Sequence, residues 1–96
     1  MNRLQINLLI SKIFKILPLK EQGNPKLSEY IDSVSIQLKG AVETCVDLTN
    51  NDQYNRKYIE VLNTINYLKH NDFSVKQCKR EIFKCLSILN SIKESL

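Results

Sequence analysis

The sequence predicts an all-α fold, an antiparallel up-down-up-down four-helix bundle. Apolar residues recur at alternating spacings of three and four, short polar connections separate these stretches, and no segment shows the period of two that a strand needs. A chain of 96 residues forms one domain, 1–96, because division in two would leave neither half enough buried area to fold alone. The composition, 43% hydrophobic and 25% charged with two Gly and two Pro, excludes disordered and collagen-like classes.

Helix 1 is expected over about 3–17, with Ile6, Leu9, Ile13 and Ile16 on one stripe and Leu8, Ile10, Phe14 and Leu17 widening it. So high an apolar share predicts a helix wedged among the others, with Lys12 and Lys15 marking its wet side. An interfacial amphipathic helix at an anionic lipid surface is the other reading of the same residues. Pro18 is expected to end this helix, and Pro18 to Asn24 reads as the one long loop.

Helix 2 is expected over about 25–49, where Leu27, Ile31, Val34, Leu38, Ala41, Cys45 and Leu48 form a seam. Asn24 before Pro25 supplies an N-cap and an N1 proline, and Asn50-Asn51-Asp52 supplies a turn. Helix 3 is expected over about 53–69 on the seam Tyr58, Val61, Ile65 and Leu68, with Asp52 as its cap and His70-Asn71-Asp72 at its end. Helix 4 is expected over about 75–96, where Val75, Cys78, Ile82, Cys85, Leu89, Ile92 and Leu96 repeat three-four throughout. Ser74 and Gln77 are spaced as a capping box, and Phe73 is placed to staple onto Cys78.

The net charge of +4 is unevenly spread. Residues 1–20 hold four bases and no acid (+4), residues 21–60 four bases and seven acids (−3), and residues 61–96 six bases and three acids (+3). First and last helices are commonly neighbours in such a bundle, so the two basic segments can share a face suited to anionic lipid, nucleic acid or an acidic partner. Three cysteines without a C-x-x-C pair fit a reducing cytosol. The longest apolar run, Leu8-Leu9-Ile10, is far short of the roughly 20 residues that span a bilayer. Polar Gln5, Asn7, Ser11 and Lys12 interrupt any signal-peptide core, so a mature cytoplasmic chain is expected, with the inner face of the membrane as a possible peripheral site.

No catalytic or metal-ligand pattern emerges, and no cofactor is implied. The sole histidine, His70, stands where a basic residue satisfies helix-terminal carbonyls. Cys45, Cys78 and Cys85 lie on apolar seams, where cysteine packs as a small hydrophobe. The better lead is basic: Lys76, Arg80 and Lys84 stack at i, i+4 along helix 4, with Lys79 beside them and Lys69 just upstream. These five are the candidate partner-binding residues. RNA binding would call for more charge and for exposed aromatic rings, whereas Phe73 and Phe83 are expected to be partly committed to packing. Tyr30, Tyr54, Tyr58 and Tyr67 can combine packing with partner contact.

The layout resembles the immunity proteins against pediocin-like (class IIa) bacteriocins. The likeness covers most of the chain: a first helix with Ile13-Phe14-Lys15-Ile16, a polar loop closing on Asn24-Pro25, Tyr58-Ile59-Glu60-Val61-Leu62 and Asn66-Tyr67-Leu68 in the third helix, and Phe73-Ser74 opening the fourth. It departs from that family in that helix 4 is expected to run to Leu96, where family members often carry an irregular tail. The resemblance implies a non-enzymatic cytosolic binder of the bacteriocin-occupied mannose-type sugar permease, with helix 4 and the end of helix 3 as the contact region. Two other classes share the outline. One is the oligomeric RNA- and protein-binding accessory of diversity-generating reverse transcriptases, although helix 3 here is short for that pattern; the other is a phage-encoded inhibitor of host defence.

Overall fold

The computed structural model describes residues 3–44 and 52–95, the side chains of 42–44 excepted. The described residues are helical in five segments and contain no strand. They are α1 (Arg3–Phe14), α2 (Ile16–Glu21), α3 (Leu27–Thr44), α4 (Asp52–His70) and α5 (Val75–Glu94). Expected features at Cys45, Leu48, the Asn50-Asn51 turn and Leu96 lie outside the described residues.

The seams expected for the third and fourth helices are buried as their spacing predicts. Tyr58, Val61, Ile65 and Leu68 of α4 and Cys78, Ile82, Cys85, Leu89 and Ile92 of α5 all enter one core with Ile6, Leu9 and Ile13 of α1 and Ile31, Val34 and Leu38 of α3. Val75, by contrast, stands exposed at the head of its helix. Polar groups inside the core are matched. The Tyr58 hydroxyl donates to the Leu38 carbonyl at 2.8 Å, and the Ser35 hydroxyl donates to Asn66 Oδ1 at 2.9 Å. Each bond removes the cost, ~1–3 kcal/mol, of an orphaned buried polar group and ties α3 to α4.

Capping at α5 is as expected: the Ser74 hydroxyl accepts from the Gln77 amide, and the Gln77 side chain accepts from the Ser74 amide. At α3 the chemistry holds while the boundary moves. Asn24 Oδ1 accepts from the Lys26 amide at 2.8 Å, but regular α-helix starts at Leu27 because the turn before it is tightened by a Leu27 amide bond to the Asn24 carbonyl.

The first helix departs from expectation. Pro18 does not end it and no loop runs from 18 to 24; α2 carries the chain helically through Pro18 to Glu21. Proline has no N–H to donate to the carbonyl four residues back, which belongs to Phe14, so regular α-helix is interrupted at Lys15 and resumes at Ile16 instead of stopping. Within α2, Pro18 occupies the first turn, where an N–H has no helical partner to lose. Ile16 and Leu17 thereby reach the core.

Gly23 closes α2. Its φ of 64° is the left-handed conformation, its amide bonds to the Lys20 carbonyl, and the Asn24 amide bonds to the Leu19 carbonyl. These are the paired bonds of a Schellman motif, which glycine enters without steric cost. Space is open around the position, with nothing within 4 Å of an added Cβ, so any penalty there is purely conformational. Gly23→Ala should therefore lower stability by ~1–2 kcal/mol in urea denaturation without changing core packing. An unchanged midpoint would remove the motif from the account.

Helix contacts are distributed so that α5 touches α1, α2 and α4, while α3 touches α1, α2 and α4. Among the described residues α1 does not contact α4, nor α3 α5.

Candidate functional site

The α4–α5 face holds most of the sequence-derived candidates. Glu60, Asn63, Thr64 and Tyr67 of α4 and Gln77, Arg80, Glu81 and Lys84 of α5 line an open groove of about 370 Å³. Packing of Val61, Ile65 and Leu68 against the α5 seam holds these side chains on the outer rims of the two helices. Lys84 Nζ lies 3.2 Å from Glu60 Oε1, and Arg80 Nε lies 3.5 Å from Glu81 Oε1. The hydrogen bond from the Lys84 ammonium to Glu60 holds its pKa above the ordinary lysine value. The groove is therefore a mixed-charge surface and not a bare cationic ridge. Exposed ion pairs of this kind are worth ~0–1 kcal/mol, so a partner can open them at little cost.

Lys76 and Lys79 are exposed on α5, but neither lines this groove. Lys69 is separate from the other four. Its Nζ lies 2.5 Å from Asp32 Oδ1 of α3, and that ammonium holds the Asp32 carboxyl below the usual carboxylate range. The expected continuity between Lys69 and the α5 cations is thus not realised, because Lys69 turns to the opposite flank of α4. There it joins Lys20, His70 and Phe73 around an end concavity of about 430 Å³, floored by Leu27, Ile31 and Leu68. Lys20 stacks over the Phe73 ring at 4.7 Å to its centroid.

Of the four tyrosines expected to combine packing with partner contact, Tyr67 is the one that lines this groove. It is 51% exposed, unlike Tyr58, which is fully buried, and both stand on α4. Their registers differ: Tyr58 follows the Val61–Ile65–Leu68 seam and Tyr67 steps off it, a signal that helical spacing does contain.

Cys78 and Cys85 are free thiols inside the core. Burial pushes the Cys85 thiol up to about 12, with the Thr64 hydroxyl and Lys84 pulling weakly the other way; burial also raises Cys78. Thiolate is the nucleophilic form, so neither side chain is poised for attack at neutral pH. Among the described residues no cluster of His, Cys, Asp and Glu could hold a metal ion, and no helix is long and apolar enough to cross a membrane.

No protein family, characterised protein or solved structure matches this chain.

The Cys85 shift has a defined sign in stability. An unfolded cysteine loses its proton near pH ~8.5, whereas the folded thiol keeps it until about 12. Between those values the native state binds more protons than the unfolded chain, so stability falls as pH rises, by up to ~1.4 kcal/mol per pH unit from this group. Urea midpoints measured through that interval should fall less steeply for Cys85→Ala than for the parent chain. Parallel slopes would show that Cys85 titrates alike in both states.

Proposed function

We propose that this chain is a non-enzymatic binding module that engages a protein partner through the α4–α5 face. The observation that carries this reading is the half-exposed Tyr67 in one groove with Arg80 and Lys84, on a surface whose ion pairs open cheaply. Tyrosine and arginine are the residue types that dominate protein-binding hot spots, since each combines large contact area with directional polar groups. Alternation of Glu60 and Glu81 with Arg80 and Lys84 favours a protein surface over the uniformly anionic backbone of RNA.

The specific form we propose is cytosolic immunity against a pediocin-like bacteriocin, by binding the bacteriocin-occupied sugar permease from the inner side of the membrane. It rests on the resemblance in helix layout, which implies contact through helix 4 and the end of helix 3, the region where Tyr67, Arg80 and Lys84 stand. The proposed architecture is an antiparallel up-down-up-down bundle in which α1 and α2 together serve as the first helix. Opposed pairings support it: Asp32 meets Lys69 and Leu38 meets Tyr58 between α3 and α4, while Asn7 of α1 meets Lys93 near the end of α5 and Lys20 of α2 meets Phe73 just before α5 begins.

Arg80→Glu combined with Lys84→Glu should leave circular dichroism and melting unchanged, because both side chains are on the surface. Expression of the double variant in a bacteriocin-sensitive strain should lose protection, and Tyr67→Ala should weaken partner binding about thirtyfold, the ~2 kcal/mol of a hot spot. Full protection by the double variant would contradict the reading. Salt-steep RNA binding by the parent chain would replace it with the RNA-binding class.

A further inference from the structure

The outer face of α1 has no place in that docking surface, and its exposure overturns the expectation of a wedged first helix. Leu4 is 78% exposed and Leu8 57% exposed, one turn apart on the side of α1 away from Ile6, Leu9 and Ile13. Ser11 and Lys15 continue the same stripe at the spacing i+3 and i+4, and both are exposed. Phe14 beside them is 47% exposed. Lys12, expected on the wet side, instead points to α3, where its ammonium donates to Gln37 Oε1 and its carbonyl accepts from the Tyr30 hydroxyl. The helix therefore carries two apolar stripes, one in the core and one facing outward.

We propose that this outward stripe rests on an anionic lipid surface, with Leu4 and Leu8 entering the headgroup–acyl boundary and the exposed Arg3 and Lys15 side chains meeting lipid phosphates. Other exposed apolar residues, such as Ile36 and Ile59, lie on separate helices, and exposed apolar side chains are ordinary on a protein surface. Leu4 and Leu8 differ because they share one helical line. Charge selects the occupant. From Arg3 to Lys20 the chain holds four bases, Arg3, Lys12, Lys15 and Lys20, and no acid. A second copy docking by the same face would set these charges against their equals, whereas an anionic bilayer attracts them. A short apolar stripe edged by cations matches the binding mode of an interfacial amphipathic helix.

This goes beyond the α4–α5 docking reading and uses a different helix. Vesicle binding is measured with neither bacteriocin nor permease present, so either proposal can fail while the other stands. The test is co-sedimentation of the full chain with vesicles of phosphatidylcholine alone and of equimolar phosphatidylcholine and phosphatidylglycerol. Binding is expected to the anionic vesicles, to weaken as salt is raised, and to be near absent on the neutral ones. Leu4→Ser with Leu8→Ser should lower the partition coefficient about tenfold or more while leaving the melting temperature unchanged, since neither side chain enters the core. Lys15→Gln, a separate check that leaves the buried residues untouched and removes only a long cation–π contact to Tyr30 at 5.8 Å, should lower it about fivefold. Absence of binding, equal binding to both vesicle types, or unchanged binding of the leucine variant would overturn the proposal. So would a concentration-dependent dimer that the leucine variant abolishes, which would assign the stripe to a second copy.

Discussion

One apolar seam organises the molecule: Cys78, Ile82, Cys85, Leu89 and Ile92, fully buried along α5. Because α5 touches α1, α2 and α4, this single helix receives the inward residues of the interrupted first helix on one flank and of α4 on the other. Helices of this length are marginal alone in water, so their persistence depends on that shared burial. Each fully buried aliphatic side chain supplies ~1.5–3 kcal/mol, which exceeds what caps or exposed ion pairs contribute. The capping box at Ser74 starts the seam in register, and Tyr58 locks the α3–α4 side to it through the Leu38 carbonyl.

What was legible in the sequence follows from that physics. Seams with a single apolar stripe, as in α4 and α5, declare both their helix and their inward face, since spacing alone fixes which residues stack. The Asn24 and Ser74 caps were legible for the same local reason. Pro18 was misread because proline breaks a helix only in its interior, and the restart at Ile16 places it in a first turn. Gly23 held the missing signal, since a glycine after Pro18-Leu19-Lys20-Glu21-Gln22 is the signature of a helix end as well as of a loop. Helix 1 was harder. Its main stripe, Ile6, Leu9, Ile13 and Ile16, is buried as its spacing predicts, but Leu8 and Phe14, expected to widen it, are exposed, because apolar residues on both faces leave the width of the inward stripe to packing.

The candidate site was legible in part. Arg80 and Lys84 do share one rim, as their spacing requires, but Lys69 goes to Asp32 because the partner across each flank of α4 is set by tertiary packing. Sequence also gave no means of pairing Glu60 with Lys84, which turns an apparent cationic ridge into a mixed-charge groove. The two proposed surfaces are spatially distinct. Since α1 and α4 do not touch among the described residues, Tyr67 is not part of the surface that Leu4 and Leu8 present. A chain this small can thus use one core to support two outward faces, with the apolar one on the helix that the α5 seam holds from a single side.

Helix α1 is welded to the core through Ile6, Leu9 and Ile13 while its opposite stripe faces outward. Native-state hydrogen exchange resolved by residue measures this directly, because an amide released only by global unfolding reports the full stability. The amides of Leu9, Ile10 and Ile13 should exchange with the same free energy of opening as those of Ile82, Cys85 and Leu89. Exchange of the α1 amides at a much lower free energy, with α5 still protected, would show a first helix that opens on its own and would contradict that attachment.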